Sequence, residues 1–270
     1  IKLENNGIFT TGVDYGNDTA RAFVAHFDLS GELQQFIYGQ YANAYNTLDD
    51  DMRILSANLG LVGPGYCNCG TLTVSDFQGN VLDSWIIPHT ATQILSDSKS
   101  NIYLTGWHEI YPVKIDNKEF STPGKYIVKY DAEGNLLWHR NFTGLGATAL
   151  ISLDNEDNLY YSSTYFQECS INGQQLTSSG RNLIVLKYNP EGKLIWSFNS
   201  PAEGKGFAKP NTAVLCGSDI YMAGTIIDIF NFGPQTLQAD DTYTELFVAK
   251  LSQKSAVGLN DKQGNHSSIR

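Results

Sequence analysis

The chain has 270 residues, with 18 Lys and Arg against 28 Asp and Glu and a formal net charge of -10. A field of that sign repels phosphate backbones and anionic membrane surfaces, which argues against nucleic acid and lipid headgroups as partners. Charged residues make up only 17% of the chain, and 15 Tyr, 13 Phe and 25 Gly favour strands and tight turns over long solvated helices.

From the N-terminus, Ile8-Phe-Thr-Thr-Gly12 reads as a strand, with no basic-then-apolar signal segment before it. No window reaches the roughly 18 consecutive apolar residues of a transmembrane helix, so no transmembrane segment is expected. Phe23-Val-Ala-His-Phe-Asp-Leu-Ser-Gly-Glu-Leu33 then introduces an element that recurs. Leu72–Leu82 is a looser copy. Tyr126–Trp138 and Leu183–Trp196 are the clearest, and Leu246–Leu251 begins another. A second element precedes each clear copy: Ile8–Gly12, Ile102–Gly106, Leu159–Ser163 and Ile220–Gly224. The hairpin glycines Gly31, Gly79, Gly134 and Gly192 lie 48, 55 and 58 residues apart. A period near 50 signals a propeller or another repeat array.

Residues 91–142 show the plan of one repeat. Ala91–Asp97 is an apolar inner strand and Ser98–Asn101 a turn. Ile102–His108 alternates apolar and polar side chains, as a strand with two different faces does. A long polar loop with Pro112 and Pro123 follows, then a strand over Lys125–Asp131. Asp131–Gly134 is a hairpin turn in which Gly134 is free to take positive φ. Leu136–Phe142 is the fourth strand. A single four-stranded unit cannot bury both faces, whereas stacked units can. The expected fold is therefore an all-β propeller of four-stranded antiparallel blades. About five are visible, at roughly 1–38, 49–87, 91–142, 146–200 and 204–254, followed by a linker or tail over 255–270. The first lacks most of its inner strand and the last its outer strand. A ring closed by one end completing the other, and a ring with further blades upstream, both suit that pattern.

The pattern I-Y-x-[TA]-G, a loop with a Phe-Gly pair, and [FI]-V-x-K-[YF]-[DN]-x-x-G-[NK]-L-x-W resembles the SBBP-type β-propeller repeats of bacterial secreted proteins, over about residues 7–252. The second unit departs most, with Ile54–Leu59 in place of I-Y-x-x-G. The C-terminal run Phe247–Ser252, a Gly-Leu-Asn-Asp stretch and His266–Arg270 resemble the join before a type IX sorting domain of Bacteroidota. The Tyr-Pro-Asn-Pro segment of such domains is not in this chain. These resemblances imply a protein that is secreted or held at the outer cell surface.

Trp138 and Trp196 occupy one register in two repeats and read as aromatics packing between blades. Trp107 has Val13, Thr164 and Thr225 at the matching positions, so the repeat does not require it, and it is the better ligand-binding candidate. His108, Glu109 and Tyr111 follow it, while Tyr165, Phe166, Phe230 and Phe232 occupy corresponding loops. His108-Glu109 does not extend to H-e-x-x-H form, because Pro112 stands where the second His belongs. The five histidines share no spacing, so no metal site is expected among them. A calcium ion is the one cofactor to weigh. Asp49-Asp50-Asp51 lacks the alternating spacing of a calcium loop, and Asp154–Asn158 aligns with the hairpin turn at Asp97–Asn101.

The four cysteines are too few for a disulfide scaffold. They read as small buried or loop thiols, with a Cys169–Cys216 or Cys67–Cys169 bridge left open. Nucleophile-elbow, P-loop and dinucleotide signatures are absent. The leading expectation is a non-enzymatic binding or assembly module for a protein or glycan partner. Two alternatives remain: a structural subunit or cargo of a surface, secretion or gliding complex, and a carbohydrate-active hydrolase or lyase with its site at the propeller axis.

Overall fold

The computed structural model describes residues 2–4, 7–15, 20–38, 44–48, 53–59, 70–76, 78–87, 90–108, 113–115, 118–120, 124–200, 207–217, 219–232, 235–239 and 244–252. Every regular element among them is a β-strand. Helices are absent from the described residues, so none is long and apolar enough to cross a membrane. The chain divides into two compact units, residues 1–139 and 140–270.

In the first unit, β1 (Lys2–Glu4), β2 (Gly7–Tyr15), β3 (Ala20–Asp28) and β4 (Leu33–Tyr38) form one antiparallel sheet in chain order. β5 (Ala44–Leu48), β6 (Ile54–Leu59), β7 (Gly70–Ser75) and β8 (Val81–Ile87) form the next. The departure of Ile54–Leu59 from the repeat does not disturb this sheet, since β5–β6 and β6–β7 pair without a register shift. β9 (Thr90–Ser96) and β10 (Ile102–His108) begin the third sheet. The expected loop after them contains a hairpin, β11 (Val113–Ile115) with β12 (Lys118–Phe120), before β13 (Gly124–Tyr130) pairs back along β10. Leu55, Leu72 and Val74 pack against Ile94, Leu104 and Val128, so the second and third sheets share a core.

β14 (Leu136–Leu153) begins in the first unit and runs through residues 143–145, where two strands were expected. In the second unit it pairs with β15 (Leu159–Ile171), which pairs with β16 (Gln174–Tyr188) and that with β17 (Leu194–Ser200). The loop expected inside this repeat is also a hairpin, continuous with β15 and β16. Its turn at Asn172-Gly173 has φ of 50° and 82°, the doubly positive geometry that Asn-Gly favours. β18 (Phe207–Cys216), β19 (Asp219–Ile227) and β22 (Glu245–Ser252) form a three-stranded sheet. β20 (Ile229–Phe232) and β21 (Gln235–Gln238) supply the third inserted hairpin.

Six turns share one construction. They begin at Asp28, Asp76, Asp97, Asp131, Asp154 and Asn189, and in each the fourth residue's N–H donates to the first residue's carbonyl. The fourth residue has positive φ, which is why four of the six use glycine, as expected at Gly134 (φ 84°). Asp154–Asn158 is such a turn. The Asp154 carboxylate accepts the Glu156 and Asn158 N–H groups, so it serves the hairpin.

The repeated Tyr and Lys of the sequence meet the turn aspartate. Tyr103 lies directly across from Lys129 on β10 and β13. The Lys129 ammonium sits 2.9 Å from the Asp97 carboxylate and 4.8 Å from the Tyr103 ring centre. Lys187 repeats this with Asp154 at 3.0 Å and the Tyr160 ring at 4.9 Å. Lys250 pairs with Tyr221 in the same way but with Asp219, which opens β19 instead of a turn. In the first sheet, Phe9 and His26 hold the same register and stack at 4.2 Å. In the second, Leu55 and Val74 hold it as an aliphatic pair.

Trp138 and Trp196 are both buried. Trp138 stands edge-on to Tyr103 at 5.9 Å, and Trp196 packs with Ala208, Ile220 and Phe247 of the following sheet. Cys169 and Cys216 are both free thiols, so the Cys169–Cys216 bridge left open by the sequence is not formed, nor is Cys169 joined to Cys67. Burial pushes the Cys169 thiol up to about 12, which makes it an inert core residue. Cys67, Cys69 and Asp49-Asp50-Asp51 lie outside the described residues.

Candidate functional site

The second unit carries a cleft of about 520 Å³ where β14, β15, β16 and β18 come together. Its floor is the Gly144–Gly146 segment of β14. The ladder to β15 shifts register there, between Thr143 and Leu145 and again before Ala149. Gly144 has φ of 75°, and a Cβ on it would run into the Glu168 carbonyl oxygen. A side chain would therefore be strained in backbone and in space. Gly144→Ala is expected to lower the melting temperature by several degrees, as seen in a thermal melt.

One wall comes from β15. Tyr165 is buried, and its hydroxyl accepts from Asn182 Nδ2 at 2.7 Å and donates to Asn199 Oδ1 at 3.2 Å. Burial raises the pKa of this phenol; the hydrogen bonds from Asn182 and to Asn199 oppose the shift. Tyr165 thus presents a fixed, neutral ring. Phe166 follows at a bulge, beside Gln167 with φ of 63°, and is 53% exposed. Bulges re-aim side chains at strand ends, and this one leaves a large ring facing solvent.

The adjoining rim is cationic. Arg181 lies directly across from Phe166 on β16, and its guanidinium carbon sits 4.6 Å from the Phe207 ring centre. Lys209, two residues beyond Phe207 on β18, shares its face and is exposed. Neither cation has a carboxylate partner among the described residues, although the chain carries ten more acids than bases. Among the described residues, no carboxylate or imidazole lines the cleft.

Of the residues singled out in the sequence, Tyr165 and Phe166 are brought together here. Trp107 and His108 end β10 in the first unit. Trp107 is 39% exposed, with the Lys125 ammonium 5.5 Å from its ring. Glu109 and Tyr111 lie outside the described residues. Phe230 is not a cleft residue. The alternation of β20 turns it and Phe232 inward, and both are buried in the core beside Phe247. The sequence reading missed Gly144, Arg181, Phe207 and Lys209. The signals were present as a Gly-Leu-Gly interruption and as bases just outside apolar strand cores, but they are spread over 65 residues. Among the described residues, no three His, Cys, Asp or Glu side chains group as metal ligands do.

No protein-family model and no curated protein matches this chain. Among solved structures it is similar to a crystal structure of a protein of unknown function from Bacteroides caccae. The two share 14% identity and a TM-score of 0.40, over 75% of this chain and 65% of that one. This chain therefore spans about 65% of that neighbour's length.

Proposed function

We propose that this protein is a non-enzymatic binding module: a β-propeller of four-stranded repeats, exported to the outer cell surface or beyond it, that holds a glycan in the cleft where β14, β15, β16 and β18 meet. The observation that carries the reading is the cleft of the second unit. It combines a solvent-facing ring at Phe166 with hydrogen-bonding groups and, among the described residues, no acid–base pair. Aromatic rings of this kind offer a flat apolar face to a sugar ring while water is displaced from both. The propeller reading is supported by the two four-stranded sheets β1–β4 and β5–β8, each in chain order, and by the core that the second and third sheets share. Export is supported by the resemblance to SBBP-type repeats and type IX cargo, and cell fractionation tests it.

A glycan array probed with the wild type and with Phe166→Ala tests the reading. Binding by the wild type that the variant loses supports it, and a blank array from a folded protein overturns it. Trp107→Ala, at an exposed position in the other unit, is expected to leave melting nearly unchanged and to lower retention of a ligand engaged there. A large drop in melting temperature would instead make Trp107 a structural residue.

A second reading, assembly with a protein partner, is favoured by β22. Among the described residues it pairs on one side only, with β19, and it exposes Leu246 by 86% and Val248 by 79%. An edge of this kind is a template for an added strand. Recovery of one stoichiometric protein with the wild type and not with Leu246→Asp would support it.

A further inference from the structure

We propose that the cleft of the second unit recognises the carboxylate of an acidic sugar, a hexuronate residue within a glycan. The inference rests on the glycan-binding reading above and goes beyond it by naming the ligand's charge and where that charge sits.

Three observations carry it. Arg181 and Lys209 converge on one rim, and neither is neutralised by a carboxylate among the described residues. In a chain of net charge -10, two bases on one small cleft with no carboxylate partner among the described residues form a local anion site against the overall field. The guanidinium is also propped on the Phe207 ring at 4.6 Å, which holds its planar fork ready for two parallel hydrogen bonds to a carboxylate. Finally, Phe166 stands directly across the strand pair from Arg181. A ligand with a flat C–H face and a carboxylate on one ring carbon satisfies both at once. A neutral sugar would leave the cations to water, and a bare inorganic anion would leave the exposed ring unused. Gly144 and Gly146 put no side chain on the floor, and the cleft of about 520 Å³ suits a sugar ring or two.

Calorimetric titration of the full chain with tetramers of galacturonate, glucuronate and mannuronate, each beside its methyl ester, tests the proposal. The ester keeps the sugar and removes the charge. At least one acidic tetramer is expected to bind roughly tenfold or more tighter than its ester. Arg181→Ala and Lys209→Ala should each erase most of that difference. Arg181→Lys should restore only part of it, because the charge returns without the fork. Phe166→Ala should weaken acid and ester alike. Circular dichroism confirms that each variant is folded. Equal affinity for acid and ester, or an acid preference that survives Arg181→Ala together with Lys209→Ala, overturns the acidic-sugar proposal. If only neutral glycans bind and Phe166→Ala abolishes it, the proposal fails while the glycan-binding reading stands. If no sugar of either kind binds, both fail.

Discussion

Asp97→Ala is expected to destabilise the protein by about 3–5 kcal/mol, as breaking a buried ion pair generally does. Asp97 and Lys129 are both buried, and the carboxylate serves the turn and the ammonium at once. One oxygen accepts the Lys99 and Asn101 N–H groups at 3.0 and 2.9 Å. The other accepts from Asn101 Nδ2 at 2.9 Å and pairs with Lys129. Removal unties the β9–β10 turn and takes the carboxylate away from the buried ammonium beside the Tyr103 ring. Asp97→Ala combined with Lys129→Met should recover much of the loss, because a buried pair replaced by apolar groups of similar volume is often near neutral. Urea denaturation of the single and double variants checks this. Wild-type stability of Asp97→Ala would mean that the pair contributes nothing. Asp219→Ala should cost less, since the Lys250–Asp219 pair is partly open to water.

The same carboxylate sets an acid limit. Burial by itself pushes the Asp97 pKa up, but hydrogen bonds from Asn101 and Lys129 outweigh it and hold the pKa below the ordinary 3.8. A carboxylate depressed by folding contributes stability that is present above its unfolded pKa and lost as pH falls through its folded one. Wild-type stability should therefore drop as pH falls below about 3.8, and Asp97→Ala should flatten that part of the profile.

The repeat was legible because Tyr, Lys, Asp, Gly and Trp recur at fixed offsets within each hairpin, and each hairpin is a local structure. What joins them was not. Asp97 and Lys129 lie 32 positions apart, and only the antiparallel pairing of β10 with β13 brings Lys129 back to the turn. The inserted hairpins were read as loops because their strands are three or four residues long in the third and fifth repeats, too short to show alternation. In the fourth repeat, Asn172-Gly173 was a turn signal in plain sight. Phe230 was misplaced for the same reason: a four-residue strand turned a supposed loop aromatic inward. The cleft was half legible. Tyr165 and Phe166 stood out as aromatics past a strand end, while Arg181 and Lys209 gained meaning only when β16 and β18 set them on one rim.

Trp196→Ala is expected to cost about 3–5 kcal/mol, the range for truncating a buried aromatic. Its indole is nearly inaccessible within one core that includes Val185, Phe198, Ile220, Met222 and Phe247, so it ties the β16–β17 face to the following sheet. Truncation leaves a cavity that this sheet can close only by moving. Ala208 belongs to the same core and sits between Phe207 and Lys209 on β18. A shift of β18 would carry the Lys209 ammonium and the Phe207 support of Arg181 away from the cleft floor. Trp196→Ala should therefore lose affinity for an acidic tetrasaccharide even at temperatures where it remains folded. Trp138→Ala should lose comparable stability but keep that affinity, because its indole packs on Tyr103 in the other unit. Melting curves and titrations of the two variants side by side separate these effects. Equal affinity losses, or none in either, would show that β18 is not positioned by the Trp196 core.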